Sequence, residues 1–245
     1  MTTNRPVLYV FAISHYCEKA RWALDHLGID YELRHVAPGE HAELAKKLGA
    51  PKSSVPYLTM DGTVIQGSAN IIDWAEATLQ RGPSPCAAAC GEIEQRIDDI
   101  AGVHVRRYYY SEALVEYPST VRPIFTRDLP LAKKIMITLA FGKIRKIMMS
   151  RMDLGARQGE ESKALLLGEL AWVDGLLADG REYLVGDSFS RADIAVASIL
   201  SPLAVPPEHP VYHRLQHPPR IAGDVARWEQ RPCLQWVRNM YSRHR

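Results

Sequence analysis

SVPYLTMDGTVIQGSANIIDWAEATL, residues 54–79, holds two short β-forming runs, a tight turn between them and an amphipathic stretch behind them. Residues 56–60 and 63–66 flank Asp61-Gly62. That dipeptide is a strong hairpin signal, because a two-residue loop needs positive φ at its central positions and Gly supplies it without a steric cost. From Ser68 onward Ile71, Ile72, Ala75 and Leu79 recur at helical spacing, so a helix follows the hairpin. Upstream, residues 7–11 (VLYVF) form a run of strand length. Residues 17–27 place Ala20, Ala23, Leu24 and Leu27 on one helical face, with Gly28 where a C-terminal cap belongs. Residues 31–36 alternate like a strand. The first eighty residues therefore read as β-α-β, a less regular stretch over 39–55, then β-β-α. This is a mixed sheet with helices packed on it, in which the hairpin is antiparallel.

Beyond it the composition shifts. RGPSP (81–85) is a turn-rich break, and the linker is placed at 81–86. Residues 87–110, 130–152, 160–177 and 191–200 carry apolar residues at helical period, and 218–245 reads as a helical tail. Residues 87–245 are thus expected to form an all-helical domain, with an inserted segment near 118–160. FSRADI (189–194) specifies one helix start closely. Ser190 and Asp193 form a capping box and Phe189 and Ile194 a hydrophobic staple, a folding device with no part in chemistry.

The bulk numbers narrow the function classes. A chain of 245 residues, 47% hydrophobic, can bury a full core without metals or disulfides. Thirty basic against twenty-eight acidic residues leave +2, which argues against general electrostatic attraction to nucleic acid. The longest uncharged stretch, 194–207, is too short and proline-rich to span a bilayer, and the first residues lack an apolar signal core. Cys17, Cys86, Cys90 and Cys233 suggest reduced thiols in a cytoplasmic protein. Cys86 and Cys90 stand four apart but lack further ligands nearby. The nine His show no metal-ligand spacing, so no metal is expected.

Four motifs in register carry a family resemblance: SHYCEKARWAL (14–24), SVPYL (54–58), the DG hairpin leading to QGSANIIDW (66–74), and the Ser190/Asp193 capping box. Together the chain resembles the cytosolic glutathione transferases, of a serine-type or related bacterial or plant-like class. The resemblance implies a thioredoxin-like N-terminal domain (1–80), a C-terminal helical bundle and a homodimer. It also implies glutathione as co-substrate, its thiolate attacking a small apolar electrophile held in a pocket between the domains.

The resemblance also distributes roles. Val55-Pro56 matches a cis-proline step that leaves the backbone of Val55 free to pair with the peptide ligand. Ser68, read as the cap of the third helix, matches the serine that holds the γ-glutamyl carboxylate, where the helix dipole favours an anion. The family usually places Glu, Gln or Asp just before it to receive the ligand's amino group. Here that residue is Gly67, and strand alternation turns Gln66 away. His41, in GEH (39–41), and Lys52 are candidates for the glycine carboxylate, with solvated loop residues as the equal alternative.

For thiol activation, a thiol of pKa about 8.5 is only a few per cent ionised at neutral pH, so a hydroxyl donor beside a helix N-terminus raises the reactive fraction. Ser14 offers both. Cys17 is the rival, either as a mixed-disulfide nucleophile or, more plainly, as a small buried residue. Phe11 stands near where a tyrosine-type enzyme would carry its tyrosine. Tyr108, Tyr109 and Tyr110 are read as core or interface residues. The basic, methionine-rich stretch 133–151 is read as a core helix with Ile137, Phe141, Ile144 and Met148 inward; contact with an anionic membrane surface or a partner helix is the alternative. A non-catalytic relative that binds ligands or partners, and a Cys17-based thiol transferase, are the competing functions.

Overall fold

The computed structural model describes residues 5–79, 86–212 and 215–245. The chain divides into two compact units: Met1–Ser84 with Arg122–Ile144, and Pro85–Val121 with Arg145–Arg245. The break expected at 81–85 lies outside the described residues.

The first unit begins β1 (Val7–Val10), α1 (His15–His26), β2 (Glu32–His35), α2 (Glu40–Leu48), β3 (Tyr57–Met60), β4 (Thr63–Gln66), α3 (Ser68–Thr78). Its four strands lie in the order β2-β1-β3-β4, with β1 and β2 parallel and the other two pairs antiparallel. In the hairpin both central residues take positive φ, Asp61 at 49° and Gly62 at 78°. Period-two alternation splits the strands between two cores. Leu8, Val10 and Leu58 pack with Cys17, Ala20, Leu24, Ile71 and Ala75 of α1 and α3, whereas Tyr9 and Tyr57 pack with Val36, just after β2, and Ala45 of α2 on the opposite face. Each of the fully buried leucines contributes about 1.5–3 kcal/mol.

One element differs from the sequence reading. The stretch 39–55 is not irregular throughout: residues 40–48 are helical, closed by Gly49 at φ 72°. Nine residues are too few for its weak apolar period to announce a helix. Packing of Ala45, Leu44 and Leu48 on the sheet supplies the stabilisation that propensity alone lacks.

After α3 the described residues contain no strand. The helices are α4 (Ala87–Asp99), α5 (Ala101–Ala113), α6 (Pro118–Phe125), α7 (Leu131–Arg151), α8 (Ala156–Leu176), α9 (Arg191–Ala204), α10 (Pro219–Trp228) and α11 (Pro232–His244). The expected helix 87–110 is divided at Ile100. The expected tail is two helices, because Pro232 pushes Arg231 to extended backbone (φ −64°, ψ 136°). Within the second unit α9 is buried almost all round, packed against α4 and α11. Its start carries the capping box: the Asp193 carboxylate accepts from the Ser190 N–H (2.8 Å), the Ser190 hydroxyl (2.7 Å) and the Leu184 N–H (2.8 Å). Tyr108, Tyr109 and Tyr110 are buried, and the Tyr108 hydroxyl donates to Asp224 at 2.6 Å.

Candidate active site at one edge of the sheet

Strand register gathers most of the singled-out residues of the first unit. Tyr9 faces Tyr57 across β1 and β3, and Phe11 and Val55, just beyond the paired strands, pack against the same cluster. Tyr57 faces Gln66 across β3 and β4, and the Gly67 N–H continues that ladder to the Pro56 carbonyl at 3.0 Å. On the other side the Val36 N–H reaches the Val10 carbonyl at 3.0 Å. One sheet edge thus presents the turn before α1, the step before β3, the start of α3, and the loop leading to α2. Three helix N-termini open there, each with first-turn N–H groups that lack intrahelical acceptors and carry positive potential.

At α1, Ser14 is the N-cap and its Oγ accepts from the Cys17 N–H at 3.3 Å. Capping uses only an acceptor lone pair, so the hydroxyl hydrogen is left to donate to a further group. Ser14 is half-buried. Cys17, three residues on, points into the core among Leu8, Val10, Ala20 and Leu24, and is 1% exposed. The Phe11 N–H donates to its Sγ at 3.4 Å, yet burial outweighs this and the Ser14 contact and pushes the thiol up to about 12. Cys17 sits in the first helical turn but is a packed thiol.

The Val55–Pro56 peptide is cis. Its approach loop, 50–54, is held by Gln66. The Gln66 amide donates to the carbonyls of Lys52 and Ser54, both at 2.6 Å, and its Oε1 accepts from the Lys52 N–H at 2.9 Å. Alternation along β4 gave no hint of this bracket, which commits the Gln66 amide to residues twelve and fourteen positions upstream.

At α3 the sequence reading needs correction. Ser68 is not the cap: Gly67 is, at φ 94° and ψ 143°, and Ser68 is the first helical residue, 5% exposed and with no capping hydrogen bond. That positive φ accounts for a glycine at position 67. A Cβ there would have room, its nearest neighbour Asn70 Nδ2 being 3.8 Å away, so the constraint is the backbone.

His41 lies in the first turn of α2. Its Nδ1 accepts from the Gly39 N–H at 3.0 Å, so the neutral ring carries its proton on Nε2. The ring meets Phe11 edge-on at 4.9 Å between centroids, and its carbonyl accepts from the Tyr57 hydroxyl at 2.9 Å. Glu40, absent from the candidates, organises this loop. Its carboxylate accepts from the Ala37 N–H at 2.9 Å and pairs with Lys133 at 2.5 Å. Burial works against its ionisation, but Lys133 and the amide outweigh it and hold the carboxyl below its ordinary range. Lys52 is exposed.

A cleft of about 330 Å³ lies elsewhere, wholly within the second unit, lined by Tyr108, Glu112, Lys163, Arg220, Asp224 and Arg227 among others. None of the candidate residues lines it, and most of its charges pair with one another: Asp224 with Lys163 and Arg227, Glu112 with Arg220. Among the described residues no cluster of His, Cys, Asp or Glu could hold a metal ion.

Comparison with known proteins gives the family. The glutathione S-transferase N-terminal domain matches residues 8–83 and the glutathione S-transferase C-terminal domain matches 137–218. The chain belongs to the glutathione S-transferase family. It is 26% identical over 211 residues to the glutathione S-transferase TCHQD of Arabidopsis thaliana, covering 81% of this chain and 77% of that one. Among solved structures, the glutathione transferase GSTFuA3 of Phanerochaete chrysosporium superposes with a TM-score of 0.66 at 15% identity, covering 100% of this chain and 98% of the other. The glutathione S-transferase CsGST63524 of Ceriporiopsis subvermispora, solved with glutathione, gives 0.63 at 16% identity and 98% coverage of both. At those identities the structural likeness speaks for the fold.

Proposed function

We propose that the protein is a glutathione transferase in which Ser14 activates the thiol of bound glutathione. The observation that carries this reading is the contrast between Ser14 and Cys17: a half-buried hydroxyl at a helix N-cap, where capping itself uses only a lone pair, against a sealed thiol pushed up to about 12. Glutathione would lie along the sheet edge. Its backbone would pair with Val55, its γ-glutamyl carboxylate with the Ser68 hydroxyl and the N-terminus of α3, and its glycine carboxylate with His41 Nε2–H or Lys52. The thiol proton leaves to solvent and the Ser14 O–H steadies the thiolate. The sulfur then forms a C–S bond to an electrophilic carbon as the leaving group departs with its electron pair. By analogy with the family the active form is a homodimer, which sedimentation would show as a species heavier than 27.5 kDa.

The test is a pH–rate profile with glutathione and an aryl halide. Ser14→Ala lowers kcat/KM by about 10²–10³ and raises the apparent pKa of the bound thiol, while Cys17→Ser leaves both nearly unchanged. Loss of activity in Cys17→Ser alone would make the protein a cysteine-type thiol transferase. A second reading, a non-catalytic ligand- or partner-binding relative, is favoured by one observation: Gly67 offers no side chain to the ligand's amino group and Gln66 is committed to its loop. Failure of the parent to bind immobilised glutathione would select it.

A further inference from the structure

The helix α7 carries an outer face that the fold leaves uncovered. Between Asp128 and Asp153 the sequence holds Lys133, Lys134, Lys143, Arg145, Lys146 and Arg151 and no acidic residue. The whole chain is only +2, so outside this segment it is net −4 (2 minus 6). Two of the six are used internally: Lys133 pairs with Glu40, and Arg145 donates to the carbonyls of Leu114 and Val115 at 2.6 and 2.9 Å. Lys134, Lys143, Lys146 and Arg151 stand exposed.

The apolar side chains of α7 divide in the same way. Ile137 is buried, and Phe141 meets Phe125 at 6.3 Å, which is the inward stripe read from the sequence. Yet Leu131 is 73% exposed, Ile135 54%, Met136 51%, Leu139 83% and Ile147 43%, five of the nine large exposed hydrophobics among the described residues. At about 100° per residue, Leu131, Ile135, Leu139 and Lys146 fall within an arc of about 80°. The outer face is therefore apolar over its first half, and in its second half Lys146 lies within that arc and Lys143 about 40° beside it. Isolated exposed leucines need no explanation, but this concentration does.

We infer that the outer face of α7 binds an anionic lipid surface. Six charges in a helix of 21 residues exclude spanning, and no described helix is long and apolar enough to cross a membrane. An interfacial helix instead sinks its apolar side chains to the acyl boundary and leaves Lys and Arg among acidic headgroups. A second copy of the chain is the poorer occupant, because a two-fold contact through this face would set Lys143 and Lys146 against an equally basic, acid-free helix.

The experiment is cosedimentation of the full chain with phosphatidylcholine vesicles, with and without phosphatidylglycerol. The expected result is binding only to the mixed vesicles, weakening as salt screens the headgroups. Leu139→Glu, and separately Lys143→Glu with Lys146→Glu, should each lower the partition by about tenfold or more, with the thermal midpoint unchanged since all three side chains are exposed. The inference is overturned if the parent stays in the supernatant with anionic vesicles, or if both variants bind as the parent does. It is also overturned if Leu139→Glu converts an oligomer into a smaller species, which would assign the face to another copy.

Discussion

Gln66→Ala removes three hydrogen bonds and nothing from the proposed ligand contacts, so it isolates the value of holding the loop ahead of Val55. The bonds to Lys52 and Ser54 face solvent, where each is worth about 0.5 kcal/mol net, and the fold should tolerate their loss with little change in the unfolding midpoint. The larger consequence is entropic. Residues 52–54 are fixed by this one side chain, and refixing even one of them when glutathione docks against Val55 costs about 1–2 kcal/mol, or roughly a tenfold rise in Kd. Gln66→Glu should be at least as damaging: its carboxylate still accepts from the Lys52 N–H but faces the carbonyls of Lys52 and Ser54 with no donor. Calorimetric titration with glutathione measures the affinity in both variants, and amide exchange at Lys52 reports the loop directly, accelerating by roughly tenfold in Gln66→Ala, which alone removes the acceptor of that N–H. Parent-like affinity together with parent-like exchange in Gln66→Ala would refute the reasoning.

Thiol reactivity should separate the four cysteines. In the folded protein at neutral pH iodoacetamide should label half-buried Cys86 and spare buried Cys17, Cys90 and Cys233, all raised chiefly by burial, Cys17 and Cys233 to about 12. Peptide mapping that finds an adduct on Cys17 would contradict its placement. Asp224 should give acid stability a specific source. Burial opposes its ionisation, but Lys163, Tyr108 and Arg227 outweigh this and hold the carboxyl below its ordinary range. Its contribution is therefore full above the unfolded-state pKa of about 3.9 and is lost as pH falls through the lower folded value. Asp224→Asn should cost about 3 kcal/mol at neutral pH and flatten the acid limb of the melting curve; an unchanged limb would show that Asp224 is not coupled to folding.

Local chemistry in the sequence determined much of this protein. Asp61-Gly62 could serve few purposes but a turn with two positive φ values, and the apolar periods around it set strands 57–60 and 63–66 and the helix behind them. Ser190 and Asp193, three apart before an apolar run, specified the start of α9 to the residue. Such signals act over one or two turns of chain, so they are visible in one dimension. The tertiary structure decided what depends on distant residues. Cys17 and Ser14 share a helix start, and only packing against Leu8 and Val10 shows that one is sealed and the other half-open. Gln66 has a partner fourteen positions upstream that no periodicity encodes. Ser68 looks like a cap until the φ of Gly67 moves the cap back by one residue. On α7 both faces carry apolar residues at helical spacing, and only distant partners such as Glu40 of α2 and Phe125 choose which is turned inward. Burial belongs to the assembled chain, and in this protein burial decides which candidate groups can meet a ligand.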